Sequence, residues 1–116
     1  MLPALNRLRS SKDFARVTKT GHRATTASLV IYLKNDQGFQ PEPQIGLIVS
    51  KVVGGSVTRH RIARQLRHAA REHLLVIPPH SQVVIRVIKD GGDYINELHH
   101  GIAKIAQRIS GTGVAQ

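Results

Sequence analysis

The chain has 116 residues, no cysteine, and 17 Lys plus Arg against 7 Asp plus Glu, a formal net charge of +10 at neutral pH. That length holds one domain, here residues 1–116, and the lack of cysteine excludes a disulfide framework, thiolate metal sites and a cysteine nucleophile. With 41% hydrophobic and 21% charged residues the composition is globular; no secretory signal and no apolar run of roughly 18–20 residues is visible, which predicts a soluble, cytoplasmic protein.

The first helix is expected from Ser10 or Ser11 to Gly21, with Ser10 and Asp13 spaced as a loose capping box, Gly21 as the stop, and Phe14, Ala15 and Val17 as a narrow apolar stripe. Residues 25–33 read as one aliphatic and β-branched strand, closed by the turn cluster Asn35-Asp36-Gln37-Gly38 and a break at Pro41 to Pro43. A second buried strand is expected over 44–53, ending in Gly54-Gly55. A helix then begins at Ser56 to Thr58, where a hydroxyl can cap it, and runs to about Leu75 ahead of Pro78-Pro79. Residues 82–88 form a short apolar strand, and the cluster from Asp90 to Asp93 turns the chain. Ile95, Leu98, Ile102, Ile105, Ala106 and Ile109 follow the spacing of an amphipathic helix, leaving 110–116 as a frayed tail. Mixed helices and strands of this kind predict an α+β sandwich. Its core must be aliphatic, because Phe14, Tyr32, Phe39 and Tyr94 are the only aromatic residues.

The charge is unevenly placed. Residues 1–23 carry Arg7, Arg9, Lys12, Arg16, Lys19 and Arg23 against Asp13, and residues 51–75 carry Lys51, Arg59, Arg61, Arg64, Arg67 and Arg71 against Glu72, so each segment holds +5 and the remainder cancels. On the second helix Ile62, Ala63, Leu66, Ala69, Ala70 and Leu74 share an arc of roughly 140°. His60, Arg61, Arg64, Arg67, His68 and Arg71 occupy a separate arc. A surface helix stabilised by ion pairs would need acids one turn away, and Glu72 is the only one present. Arginine's planar fork suits phosphate, and Lys51, Arg59 and the Gly54-Gly55 turn lie at the helix N-terminus, where the dipole and free amides also favour anions. A polyanionic partner is expected.

Other chemistry finds little support. His68 and His73 point apart on a helix, and His99 and His100 are adjacent and diverge, so no protein-held metal site is expected. Seven scattered acids assemble no convincing triad or carboxylate pair, and no phosphate-loop or dinucleotide glycine pattern occurs. A DNA-reading helix-turn-helix would need a helix just before the arginine helix, where a strand is expected.

The run Ser50-Lys51-Val52-Val53-Gly54-Gly55-Ser56-Val57-Thr58-Arg59-His60-Arg61-Ile62-Ala63-Arg64-Gln65-Leu66-Arg67 resembles the arginine-rich signature of the protein component of bacterial ribonuclease P. Asn6-Arg7-Leu8-Arg9 with Lys12-Asp13-Phe14, and the strand Leu29-Val30-Ile31-Tyr32, resemble the same family's N-terminal part. The resemblance implies a two-layer α/β sandwich in the order α-β-β-β-α-β-α, similar to the second domain of ribosomal protein S5, with a left-handed βαβ crossover carrying the arginine helix. It further implies that the protein is a subunit of ribonuclease P, the endoribonuclease that removes 5′ leaders from precursor tRNA. Lys51, Gly54, Arg59, His60, Arg61, Arg64, Arg67 and Arg71 would contact the catalytic RNA. Phe14, Val30 and Tyr32 would line a cleft for the 5′ leader, bordered by the basic patch Arg7, Arg9, Lys12 and Arg16. Catalysis would belong to the RNA and its Mg2+ ions, with no catalytic or metal-binding residue on the polypeptide and neither membrane nor DNA as partner. A ribosomal-type structural RNA-binding protein is the alternative that charge and fold alone permit. The chain departs from the family pattern at His60, where asparagine is usual, at Thr18, where many members carry an aromatic, and at Ala63, where many carry lysine.

Overall fold

A computed structural model describes residues 2–114. A 3₁₀ turn at Ala4–Asn6 leads into helix α1 (Ser11–Thr20), strands β1 (His22–Thr25), β2 (Leu29–Asn35) and β3 (Gln44–Val49), helix α2 (Ser56–Glu72), strand β4 (Ser81–Val87) and helix α3 (Tyr94–Val114). This is the α+β order expected. The sheet runs β1-β2-β4-β3, antiparallel across β1–β2 and β2–β4 and parallel across β4–β3, so that α2 is the crossover joining the parallel pair.

The two central strands, Leu29-Val30-Ile31-Tyr32-Leu33 and Val83-Val84-Ile85, are continuously apolar because helices cover both faces of the sheet. Leu29, Ile31, Leu33, Val83 and Ile85 point into the larger core with Ile62 and Leu66 of α2 and Leu98, Ile102 and Ile105 of α3. Val30, Tyr32 and Val84 point the other way, into a smaller cluster with Leu8, Val17, Phe14 and Ile48. The sheet and the α2–α3 layer thus form the main sandwich, and α1 lies across the opposite face. Truncating a fully buried side chain such as Leu66 in the larger core carries a cost of about 2–5 kcal/mol.

Several local expectations change. The run 25–33 is two strands rather than one, broken at Thr26 to Ser28. The break is held from far along the chain: Glu97 Oε1 on α3 accepts hydrogen bonds from Thr26 Oγ1 and from the Ser28 backbone N–H, both at 2.6 Å. Strand β3 stops at Val49, where the turn bonds Val53 N–H to Ser50 O (3.1 Å) and Gly54 N–H to Lys51 O (3.2 Å) begin. Gly55 is the N-cap of α2, and no side-chain hydroxyl caps it; Ser10, the N-cap of α1, likewise makes no capping bond, and Asp13 pairs instead with Arg16. Helix α2 ends at Glu72, short of Leu75, because the buried His73 ring turns back so that Nδ1 bonds Ala69 O at 2.9 Å, and Val76 and Ile77 N–H then bond His73 O. That tight turn buries Ile77. Helix α3 continues to Val114 where fraying was expected from Ser110; residues 115–116 of the expected tail lie outside the described residues.

Strand β3 is an edge, which would leave a row of backbone groups unpaired. The N-terminal segment covers part of it: Arg7 forms a parallel bridge with Ile45, Leu8 N–H bonds Ile45 O at 3.0 Å, and Asn6 Nδ2 donates to Pro43 O at 2.8 Å. The first basic segment is thereby laid beside β3, next to the start of the crossover.

Candidate RNA interface

Helix α2 sorts its residues as its periodicity predicts. Ile62, Ala63, Leu66, Ala69 and Ala70 are buried, Leu74 packs against the core just beyond the helix end, and His60, Arg61, Arg64, Arg67, His68 and Arg71 are exposed. A groove of about 850 Å³ runs along this outer face, lined by Val57, His60, Arg61, Arg64, Arg67 and His68 among others. A second, of about 610 Å³, opens between Arg64 and His68 and the start of α3 at Asp93, Tyr94 and Ile95.

One carboxylate pairs with this ridge among the described residues: Asp90 Oδ1 lies 3.3 Å from Arg61 Nη2. Asp90 is held in its loop by the Gly91 backbone N–H (2.7 Å), and Gly91 takes φ +78°, a conformation that favours glycine. Arg64, Arg67 and Arg71 have no acid within ion-pair distance among the described residues. Four guanidinium groups thus share a face with one partly exposed counter-charge.

The N-terminal end of the ridge is built by the turn before α2. Lys51 is exposed there, and Gly54 adopts φ +157° and packs so closely on Thr58 that a Cβ would lie 3.0 Å from its methyl carbon. Arg59 is half-buried, and its Nε has no acceptor among the described residues. Val52 and Val57 are almost fully exposed on either side of this turn. Charge arithmetic overlooks these two apolar side chains; an apolar residue in the first turn of a basic helix is the signal that marks Val57.

The three residues assigned to a leader cleft do come together, but as packing. Val30 and Tyr32 are 6% and 7% exposed, and the half-buried Phe14 lies against Gly46 of β3 so tightly that a Cβ there would fall 2.3 Å from the ring. Tyr32 therefore presents no free face to a base. The same side of the sheet carries cations that the sequence reading left out of the site: Arg23 pairs with Tyr32, and Arg86 pairs with Val30. Both are exposed. The phase of alternation finds them, since they share a face with Val30 and Tyr32.

In the N-terminal patch Arg9 and Lys12 are exposed and Arg7 is half-buried, its Nε donating to Leu2 O at 3.0 Å. Arg16 is more occupied than its charge suggests. It pairs with Asp13 and lies 4.8 Å from the centre of the Phe39 ring, a cation–π contact.

His73 and His80 are engaged in hydrogen bonds within the fold, whereas His60 and His68 are exposed on the ridge. His73 Nε2 lies 3.3 Å from His99 Nδ1, and among the described residues no three His, Cys, Asp or Glu side chains gather where a metal could be held. No described helix is long and apolar enough to cross a membrane. A strand and a turn precede α2, which removes the geometry of a DNA-reading helix-turn-helix.

The family model described as Ribonuclease P matches residues 2–109. The chain belongs to the ribonuclease P protein family. The ribonuclease P protein component of Mycolicibacterium vanbaalenii is 41% identical over 114 residues, covering 93% of this chain and 96% of that one. The component of Streptomyces griseus is 38% identical over 121 residues, covering 97% and 98%. Among solved structures, the Staphylococcus aureus RNase P protein superposes with a TM-score of 0.75 at 28% identity, over 86% of this chain and 96% of that one. The Thermotoga maritima RNase P protein, solved with 1-(4-fluorophenyl)-2-thiourea, does so with a TM-score of 0.63 over 91% and 95%; at 19% identity it speaks for the fold alone. Membership makes the chain a protein subunit of ribonuclease P that acts with its RNA in tRNA 5′-end processing, and so selects between the two RNA-binding readings that charge and fold had left open.

Proposed function

We propose that the outer face of α2, with the turn that precedes it, is the surface that docks on the ribonuclease P RNA, and that the sheet face crossed by α1, with the exposed Arg23 and Arg86 at its uncovered part, guides the single-stranded 5′ leader of precursor tRNA in the cytoplasm. The observation that carries the first part is the groove of about 850 Å³ along Arg61, Arg64 and Arg67, whose arginines have one carboxylate among them. Arginine forks on a rigid helix neutralise phosphates without sequence preference, which suits an RNA recognised by shape.

For the leader, the buried Val30 and Tyr32 make the floor and the exposed Arg23 and Arg86 supply the contacts. Affinity for the leader then rests on backbone phosphates more than on stacking. Thr18 fits that view: its hydroxyl donates to Phe14 O at 3.0 Å and contributes no ring.

The protein's part in the reaction is to bind and orient. The Mg2+ of the reaction belongs in this reading to the RNA, where it would supply the hydrolytic chemistry. In this reading the protein lowers the magnesium needed by replacing part of the counter-charge that packs substrate against RNA. The test combines this protein, in vitro transcribed ribonuclease P RNA and a leader-bearing tRNA at low magnesium. The expected result is faster cleavage than with RNA alone, more so for leader-bearing substrate than for short-leader substrate. Equal rates with and without protein would overturn the reading.

A further inference from the structure

Arg7 and Arg9 belong to one basic segment and Arg67 to the other, and nothing in their spacing connects them. In the fold they line a single pocket of about 260 Å³, with Phe14, Gly46 and Leu47 among its walls. The convergence has a backbone cause. The Arg7–Ile45 bridge fixes the N-terminal segment along β3, and the crossover helix passes over the same strand, bringing the fourth turn of α2 to the same place.

The pocket lacks its counter-charge. Of the acids that form ion pairs among the described residues, Asp13 is taken by Arg16 and Asp90 by Arg61. Arg7 is pre-oriented by the bond from its Nε to Leu2 O, which leaves its two Nη groups without a hydrogen-bond partner among the described residues. Leu2 and Leu8, both buried, supply low-dielectric walls that strengthen the field of the three cations. The space exceeds that of one water, about 30 Å³ in the liquid, and the guanidinium forks of the three arginines that line it suit the oxygens of a phosphate.

We propose that this pocket seats one RNA phosphodiester held jointly by Arg7, Arg9 and Arg67, so that the two basic segments meet on a shared phosphate instead of serving separate surfaces. The proposal rests on the RNA-interface reading above and adds a stoichiometry to it. Each phosphate neutralised contributes about 0.7–0.9 to the slope of log affinity against log salt. Arginines on separate phosphates would therefore lose two such increments when two are removed, whereas arginines sharing a phosphate lose one.

The experiment measures that slope for the full chain and for R9Q, R67Q and R9Q/R67Q, which keep the aliphatic stems at exposed positions. It is run once with the ribonuclease P RNA alone, and once with the holoenzyme binding precursor tRNAs with and without a leader. The expected result is that the double variant loses about one increment, no more than the larger single loss, and that the two affinity losses do not multiply. A loss of one increment with RNA alone assigns the phosphate to the RNA subunit; a loss only with the leader-bearing substrate assigns it to the leader. A double variant that loses two increments, or none in either titration, overturns the shared seat. Arg67→Lys is the check against a folding defect: it keeps the charge and should keep the slope while lowering affinity several-fold, and a slope that falls as in R67Q also overturns the proposal. Failure of the unaltered protein to bind the RNA at all would instead overturn the interface reading.

Discussion

Tyr94 shows how a single side chain joins the arginine ridge of α2 to the core. Its ring is buried at the start of α3, while its hydroxyl donates to Lys89 O at 3.1 Å and reaches the same Asp90 carboxylate that holds Arg61, at 3.5 Å. Burial, first of all, pushes the phenol up from its ordinary value of 10.0; Asp90 and Glu97 add to the rise, and a hydrogen bond with the Gly92 backbone opposes it. The folded state thus holds the phenolic proton more tightly than the unfolded chain does. Stability from this source is complete below the ordinary tyrosine value and is lost as pH climbs through the raised one. Denaturant midpoints taken from pH 8 upward should therefore fall more steeply for the unaltered protein than for Y94F, which has no proton to lose. Parallel curves would mean that Tyr94 takes no part. None of this is readable in the sequence, where Tyr94 is one aromatic at the head of an amphipathic helix and its partners lie in a loop of unknown path.

Elements were legible where their reason is local and obscure where it is not. The faces of α2 follow from periodicity alone, and the burial of Ile62 and Leu66 opposite Arg61 and Arg64 is what three-and-four spacing requires. The β1–β2 turn is obscure in the sequence because Thr26-Ala27-Ser28 contains no Gly, Pro, Asn or Asp, and its Thr and Ser are weaker turn signals. The group that satisfies its backbone, Glu97, lies about 70 positions away. The seat of α1 shows the same dependence on distant contacts. Phe14 packs on the β3 backbone only because position 46 is glycine, and an alanine there would meet the ring at 2.3 Å. G46A should cost about 1–3 kcal/mol, the usual penalty for overfilling a packed site, and should weaken leader-dependent binding as α1 is displaced from the sheet. Thermal melting reads the first effect and precursor-against-mature tRNA affinity the second. An unchanged melting temperature would show that α1 shifts freely over the sheet.

At the scale of the molecule, the sequence gives the amount of charge in each basic segment but not the distance between the segments. Residues 1–23 and 51–75 each hold +5. They become neighbours only because β3 is an edge strand that the N-terminal segment covers while α2 crosses above it. Two carboxylate–arginine pairs exist among the described residues, Asp13–Arg16 and Asp90–Arg61, both on partly exposed side chains, and exposed pairs of this kind contribute little, about 0–1 kcal/mol each. The free protein therefore carries uncompensated repulsion across one continuous surface, and salt should act on it in two opposite directions. Raising ionic strength from about 0.01 M to about 0.15 M shortens the Debye length from about 30 Å to about 8 Å, which relieves repulsion between cations farther apart than direct contact. The melting temperature of the free protein should rise over that range, while affinity for the ribonuclease P RNA falls as counterions compete for phosphate. A melting temperature that stays flat or drops would place the two basic segments too far apart to repel, and with them the three arginines that the fold brings to one pocket.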